Sequence, residues 1–178
     1  MVLGRTTCAV SQQRIAVTFG HPDNKLLEFN HWQETKSMTL ECINPKDLPT
    51  PEMYTQVVVA TGSKLVFVSG QQPEDIHGKL VGHGDFAAQA RLAFGNLGRA
   101  LTAAGARPEQ VCKITVYVVD YRRDEHVPII EAAQTALFGD HKPANVVVGI
   151  ATMSPGYLIE VDAIAVIDHT TESYARTR

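Results

Sequence analysis

The sequence predicts an α+β domain, one sheet carrying two helices on one face, and three observations lead there. Short β-branched runs recur between residues 56 and 167, two longer segments repeat apolar residues every three or four positions, and strands come first before helices alternate with strands. A single domain also fits the length of 178 residues, which is enough for one real core and too little for two large ones.

Met38-Thr39-Leu40-Glu41-Cys42-Ile43 reads as a first strand. Gln56 to Thr61 and Leu65 to Gly70 read as two more, with Gly62-Ser63 as the tight turn of a hairpin between them. Polar loop chemistry continues through Pro73 to Lys79 and Gly82-His83-Gly84, and Asp85 can cap a helix after it. Phe86, Ala90, Phe94, Leu97, Leu101 and Ala104 mark one apolar face of that long helix, which Gly105 stops. Lys113 to Val119 alternates as a core strand. Asp124 is the expected N-cap of a second helix through Ile129, Ile130, Ala133 and Leu137, with Pro128 tolerable only near its first turn and Gly139 closing it. Asn145 to Ile150 and Leu158 to Ile167 complete the sheet.

Residues 1–37 contain one alternating run, Arg14 to Phe19, and otherwise no period, so they read as an appendage that is flexible or foreign to the domain. The domain is expected to span 38–168, and the polar stretch 169–178 reads as a tail. Helices on one face leave the other face of the sheet without cover. Runs such as Val57-Val58-Val59 and Val146-Val147-Val148 are apolar toward both faces, which predicts an oligomer.

Composition excludes several classes. A net charge of −3 gives no basic footprint for nucleic acid. No apolar run approaches the roughly 18 residues of a membrane span, so a cytoplasmic address is the expectation. Cys8, Cys42 and Cys112 are too far apart for a CxxC site, and Cys112 reads as a small buried residue of a strand. His77, His83 and Asp85 match no compact zinc spacing, so no metal is expected.

Five signatures in order carry a family resemblance: Tyr54-Thr55-Gln56; Val68-Ser69-Gly70-Gln71; Gln89-Ala90-Arg91 with Asn96-Leu97; Lys113 to Val118; and Glu160-Val161-Asp162-Ala163-Ile164-Ala165. On these the chain resembles the reactive-intermediate deaminase (Rid, YjgF, L-PSP endoribonuclease-like) family across about residues 40 to 168. The resemblance implies a chorismate-mutase-like fold and a homotrimer with a central β-barrel. It further implies a small-molecule cleft at each subunit interface, hydrolysis of reactive enamines and imines, and no cofactor. It also implies a departure, because the family's deaminases carry an arginine after Pro-Ala where this chain has Pro143-Ala144-Asn145. Exchanging a charge-assisted bond of ~1.5–3 kcal/mol for a neutral one of ~1 kcal/mol weakens carboxylate binding about tenfold.

The candidate site is therefore Glu160 as catalytic carboxylate, with Tyr54, Ser69, Gly70 and Asn145 as substrate-binding residues. Imine hydrolysis needs a held water and a proton shuttle, and one carboxylate can serve both. The competing reading makes Glu160 a solvent-facing strand residue, with Asp162 on the same strand face. Ser69-Gly70 can likewise be an ordinary strand end, and Tyr54 a core tyrosine. Arg122 or Arg123 could replace the missing cation. The leading expectation is an enamine or imine hydrolase. The alternative is a non-catalytic trimer that binds small metabolites, and an endoribonuclease or translation inhibitor ranks after both.

Overall fold

The computed structural model describes residues 38–168. The expectations for residues 1–37 and 169–178 lie outside the described residues. Within them the chain runs β1 (Thr39–Ile43), β2 (Val57–Thr61), β3 (Lys64–Gln71), α1 (Phe86–Ala103), a short 3-10 turn (Pro108–Gln110), β4 (Val111–Val119), α2 (Arg123–Phe138), β5 (Ala144–Ile150) and β6 (Ile159–Ile167).

The expected single sheet is corrected to two. A four-stranded sheet has the order β3-β6-β4-β5, in which only the β4–β5 pair is parallel, and β1 and β2 form a separate antiparallel pair. The predicted β2–β3 hairpin is absent, for a reason visible at its turn. Ser63 donates its backbone N–H to Ile167 O at 3.1 Å, and a side chain at Gly62 would run into Val166 Cγ1. The turn is thus pinned to the end of β6, and β2 leaves it to lie against β4 and pair with β1.

Both helices cover one face of the larger sheet. Ile114, Val116 and Val118 of β4 and Ile159, Val161, Ala163 and Ala165 of β6 share one buried cluster with Ala90, Phe94, Leu97 and Leu101 of α1 and Ile130 and Phe138 of α2. α1 starts where the sequence predicts, since Asp85 Oδ1 accepts from Ala88 N at 2.9 Å. Its stop is also local: Gly105 takes a φ of 71°, left-handed geometry that glycine adopts without strain. The start of α2 differs from expectation. Arg122, not Asp124, is the N-cap residue, and Asp124 falls in the first turn, where a carboxylate faces the positive end of the helix dipole. Pro128 lies two positions deeper than expected and removes the bond that position would give to the Asp124 carbonyl.

The opposite face is open. Leu65 and Phe67 of β3 are 64% and 71% exposed, and Val146 of β5 is 41% exposed. Alternation along β6 puts Glu160, Asp162 and Ile164 on this face, because Ile159, Val161, Ala163 and Ala165 are buried on the other. Cys112, expected to be buried, is half-buried near the start of β4, and burial pushes its thiol pKa up.

Leu97 is fully buried at the centre of the α1 face, so Leu97→Ala should lower unfolding stability by about 2–5 kcal/mol, read from urea denaturation at unchanged m-value. A loss under about 1 kcal/mol would mean that the helix is not what holds this face.

Candidate functional site

The site is built around a β-bulge. Pairing of β3 with β6 runs regularly from Lys64↔Ile167 to Val68↔Ala163 and resumes at Gln71↔Val161, so one extra residue is accommodated at Ser69-Gly70. Continued by one position, the shifted register sets Gln72 opposite Glu160. Gln72 Nε2 donates to Glu160 Oε2 at 2.6 Å. The rest of the Glu160 carboxyl lies over the bare α-carbon of Gly70, where any added Cβ would collide with Oε1 and Cδ. Glycine is required here for close approach.

A shell of hydrogen bonds fixes Gln72. Asn96 of α1 donates through Nδ2 to Gln72 O at 2.7 Å and to Glu74 O at 3.0 Å, and Asn96 Oδ1 accepts from Arg99. Tyr157 donates its hydroxyl to Glu74 Oε1 at 2.7 Å, which raises the phenol pKa. Across the sheet, Tyr117 sits opposite Glu160 and gives its hydroxyl to Asp162 Oδ2 at 3.1 Å, a bond that also raises its pKa. Glu160 is thus a held, half-buried carboxylate, while Asp162 is occupied by a neighbouring phenol.

The five candidate residues fall into two groups. Glu160, Ser69 and Gly70 meet at the β3 side of the sheet. Tyr54 and Asn145 lie at the β5 side, because Thr55 donates through N to Pro143 O at 3.3 Å and through Oγ1 to Lys142 O at 2.6 Å. β3 and β5 are the two edges of the four-stranded sheet, so one chain does not bring the groups together. Asn145 pairs with Ile114, whose side chain is in the helix-side core, and therefore shares that face. Its Nδ2 reaches Gln134 Oε1 of α2 at 3.5 Å, leaving Gln134 Nε2 and Asn145 Oδ1 buried without a partner. Arg122 is engaged elsewhere, in an exposed ion pair with Glu125 at 3.2 Å.

Gln72, which holds Glu160, and Arg99, which bonds to Asn96, are neighbours of the site that the sequence does not single out. The signal for Gln72 is faint: two adjacent glutamines after a strand-ending glycine, of which a regular register would choose Gln71.

A carboxylate steered over a strand-end glycine, on a sheet with helices on one side, marks a small α+β protein with a held carboxylate at a bulged strand edge. The sequence profile of the Endoribonuclease L-PSP family matches residues 46–167, and the chain belongs to that family. It is 32% identical to a RutC family protein of Pyrococcus horikoshii over 126 residues, covering 70% of this chain and 96% of the relative. It is 33% identical over 113 residues to the 2-iminobutanoate/2-iminopropanoate deaminase of Rattus norvegicus, covering 64% and 79%. Among solved structures, a protein of unknown function of the Rid family, YyfB from Yersinia pestis, superposes with a TM-score of 0.67 at 27% identity, covering 72% of this chain and 98% of that one.

Gly70→Ala should expel the Glu160 carboxyl and release the Gln72 side chain, moving the Gln72 side-chain amide resonances toward those of a solvated glutamine. Stability should fall by no more than about 1 kcal/mol, because only the far end of a flexible side chain must move. Unmoved resonances would show that the bare α-carbon does not position Glu160.

Proposed function

We propose that the protein is a Rid-type enamine or imine hydrolase that works at a cleft between copies of the chain, with Glu160 as its acid–base group. The observation that carries this reading is the Glu160 carboxyl held by Gln72 over Gly70. One oxygen is fixed by a neutral donor, and the other lies beside exposed strand-end backbone where a ligand can approach. Relatives named as imine deaminases support the chemistry.

The reaction follows from the group. Water bonded to Glu160 attacks the C=N carbon and gives one proton to the carboxylate, which passes it to the imine nitrogen to form the carbinolamine. Glu160 then takes the carbinolamine hydroxyl proton and delivers it to the amine as the carbonyl forms and the C–N bond breaks, so ammonia leaves. An enamine enters the same path after protonation at carbon. Atoms balance as imine plus water giving carbonyl plus ammonia, with the carboxylate regenerated.

The separation of the candidate residues supports an intersubunit site. Tyr54 and Asn145 at one sheet edge and Ser69, Gly70 and Glu160 at the other complete a cleft only when two copies meet. The exposed Leu65 and Phe67 on the open face supply apolar area for a trimer whose sheets line a central barrel. Asn145, turned to Gln134, offers the substrate no charge. That observation favours the second reading, a trimer that binds small metabolites without turning them over. An endoribonuclease activity ranks below both, since the net charge of −3 offers no phosphate-binding face.

Ammonia release from imines generated in situ by amino-acid oxidases should exceed the uncatalysed rate with the wild type. Glu160→Gln should lower it by about a hundredfold or more while the melt is unchanged. A wild type that releases no ammonia above the uncatalysed rate would leave the binding reading in its place, and equal catalysed rates in the two proteins would remove Glu160 as the acid–base group. Sedimentation at micromolar concentration should give a mass three times the 19.4 kDa of the chain, and a stable monomer would defeat the intersubunit cleft.

A further inference from the structure

On the α1 side of Gly70 the surface sinks into a groove of about 850 Å³. Its wall joins Gly70, Gln72 and Glu74 to Asn96 and Arg99 of α1, and Ile76 and Val81 border it. Two properties of this wall are unexplained by folding.

The first is charge. Neither carboxylate of the groove pairs with Arg99: Glu74 accepts from the Tyr157 hydroxyl, and Asp75 accepts from the backbone N–H groups of His77 and Lys79 at 2.9 and 3.0 Å. Arg99 is left with a neutral partner, the Asn96 amide oxygen, and among the described residues it makes no ion pair. A guanidinium has five donors in a fixed fork, so most of them remain for a ligand. Asn96 is itself pinned by two backbone carbonyls, which orients the arginine it holds. The second property is apolar exposure. Ile76 is 94% exposed and Val81 42% exposed on the border of the same groove, the former the most exposed large apolar residue described.

We infer that this groove binds a small carboxylate with an apolar tail, with Arg99 gripping the carboxylate and Ile76 and Val81 covering the tail. Gly70 and Gln72 belong both to the groove and to the Glu160 contact, so a ligand anchored on Arg99 lies next to the reactive carboxyl. Binding itself is independent of the hydrolase reading, and only the turnover of a bound ligand rests on it. For turnover, Arg99 at the β3 edge becomes the source of carboxylate recognition that Asn145, at the β5 edge, does not supply.

The test is binding of isocaproate and of its uncharged amide, isocaproamide, to the intact protein, measured by calorimetry and by methyl resonances of Ile76 and Val81. The wild type should bind isocaproate and shift both methyl sets, with isocaproamide at least about tenfold weaker. Arg99→Gln should lose the preference for the acid, and Arg99→Lys, which keeps the charge without the fork, should recover part of it. Isocaproate binding unchanged in a folded Arg99→Gln protein overturns the assignment, and so does a wild type that binds no isocaproate. A wild type that releases no ammonia from any imine, yet binds isocaproate through Arg99, would sink the hydrolase reading and leave the groove assignment standing.

Discussion

The passage of the Glu160 carboxyl over the bare α-carbon of Gly70 is the constraint on which the rest of this site depends. It requires a glycine at the strand end, and it requires the bulge that advances β3 by one residue so that Gln72 meets Glu160. It also requires Asn96 on α1, because Gln72 would otherwise be the free end of a loop. A sheet edge alone offers unpaired backbone groups and invites another strand. Here the bulge turns the edge aside and fills the opening with one oriented carboxylate.

That arrangement is possible because the two faces of the sheet have divided tasks. The helix side is packed with Ile114, Val116, Val118, Val161 and Ala163 against Phe94, Leu97 and Leu101, which gives stability chiefly through apolar contact. The open side can then carry Glu160, Asp162 and Tyr117, each within reach of a polar neighbour. The same division leaves Asn145 on the packed side, where its amide and that of Gln134 retain a buried acceptor and a buried donor without partners. These two atoms are a donor and an acceptor on side chains already in contact through Asn145 Nδ2 and Gln134 Oε1.

Local chemistry makes much of this legible in the sequence. Periodicity locates α1, and its limits come from Asp85 and Gly105, whose effects act within one helical turn. The three last strands lie within two residues of their expected bounds because alternation and β-branching are properties of the segments themselves. Pairing is another matter. Gly62-Ser63 carries the residues of a hairpin turn, but its partner is Ile167, about a hundred positions away, and no local signal reveals that. Asp124 is a good capping residue displaced by two positions, since helix starts are decided by where the preceding strand releases the chain. At the site, Glu160 and Gly70 are readable as motif residues, while Gln72 depends on a register shift and Arg99 on which face of α1 meets the loop.

The Glu160–Gln72 bond joins residues 88 positions apart, and it links the first strand of the large sheet to the last. In polymer terms it closes one of the longest loops in the domain, across a helix, a strand, a second helix and another strand. The β4–α2–β5 segment, by contrast, is a local crossover that encloses only its own helix. The site is therefore a topologically remote feature of the fold, complete only when β6 has found its place between β3 and β4. Fraying of β6 dismantles the Glu160 contacts first while leaving the crossover paired, so Glu160 reports the integrity of the large sheet.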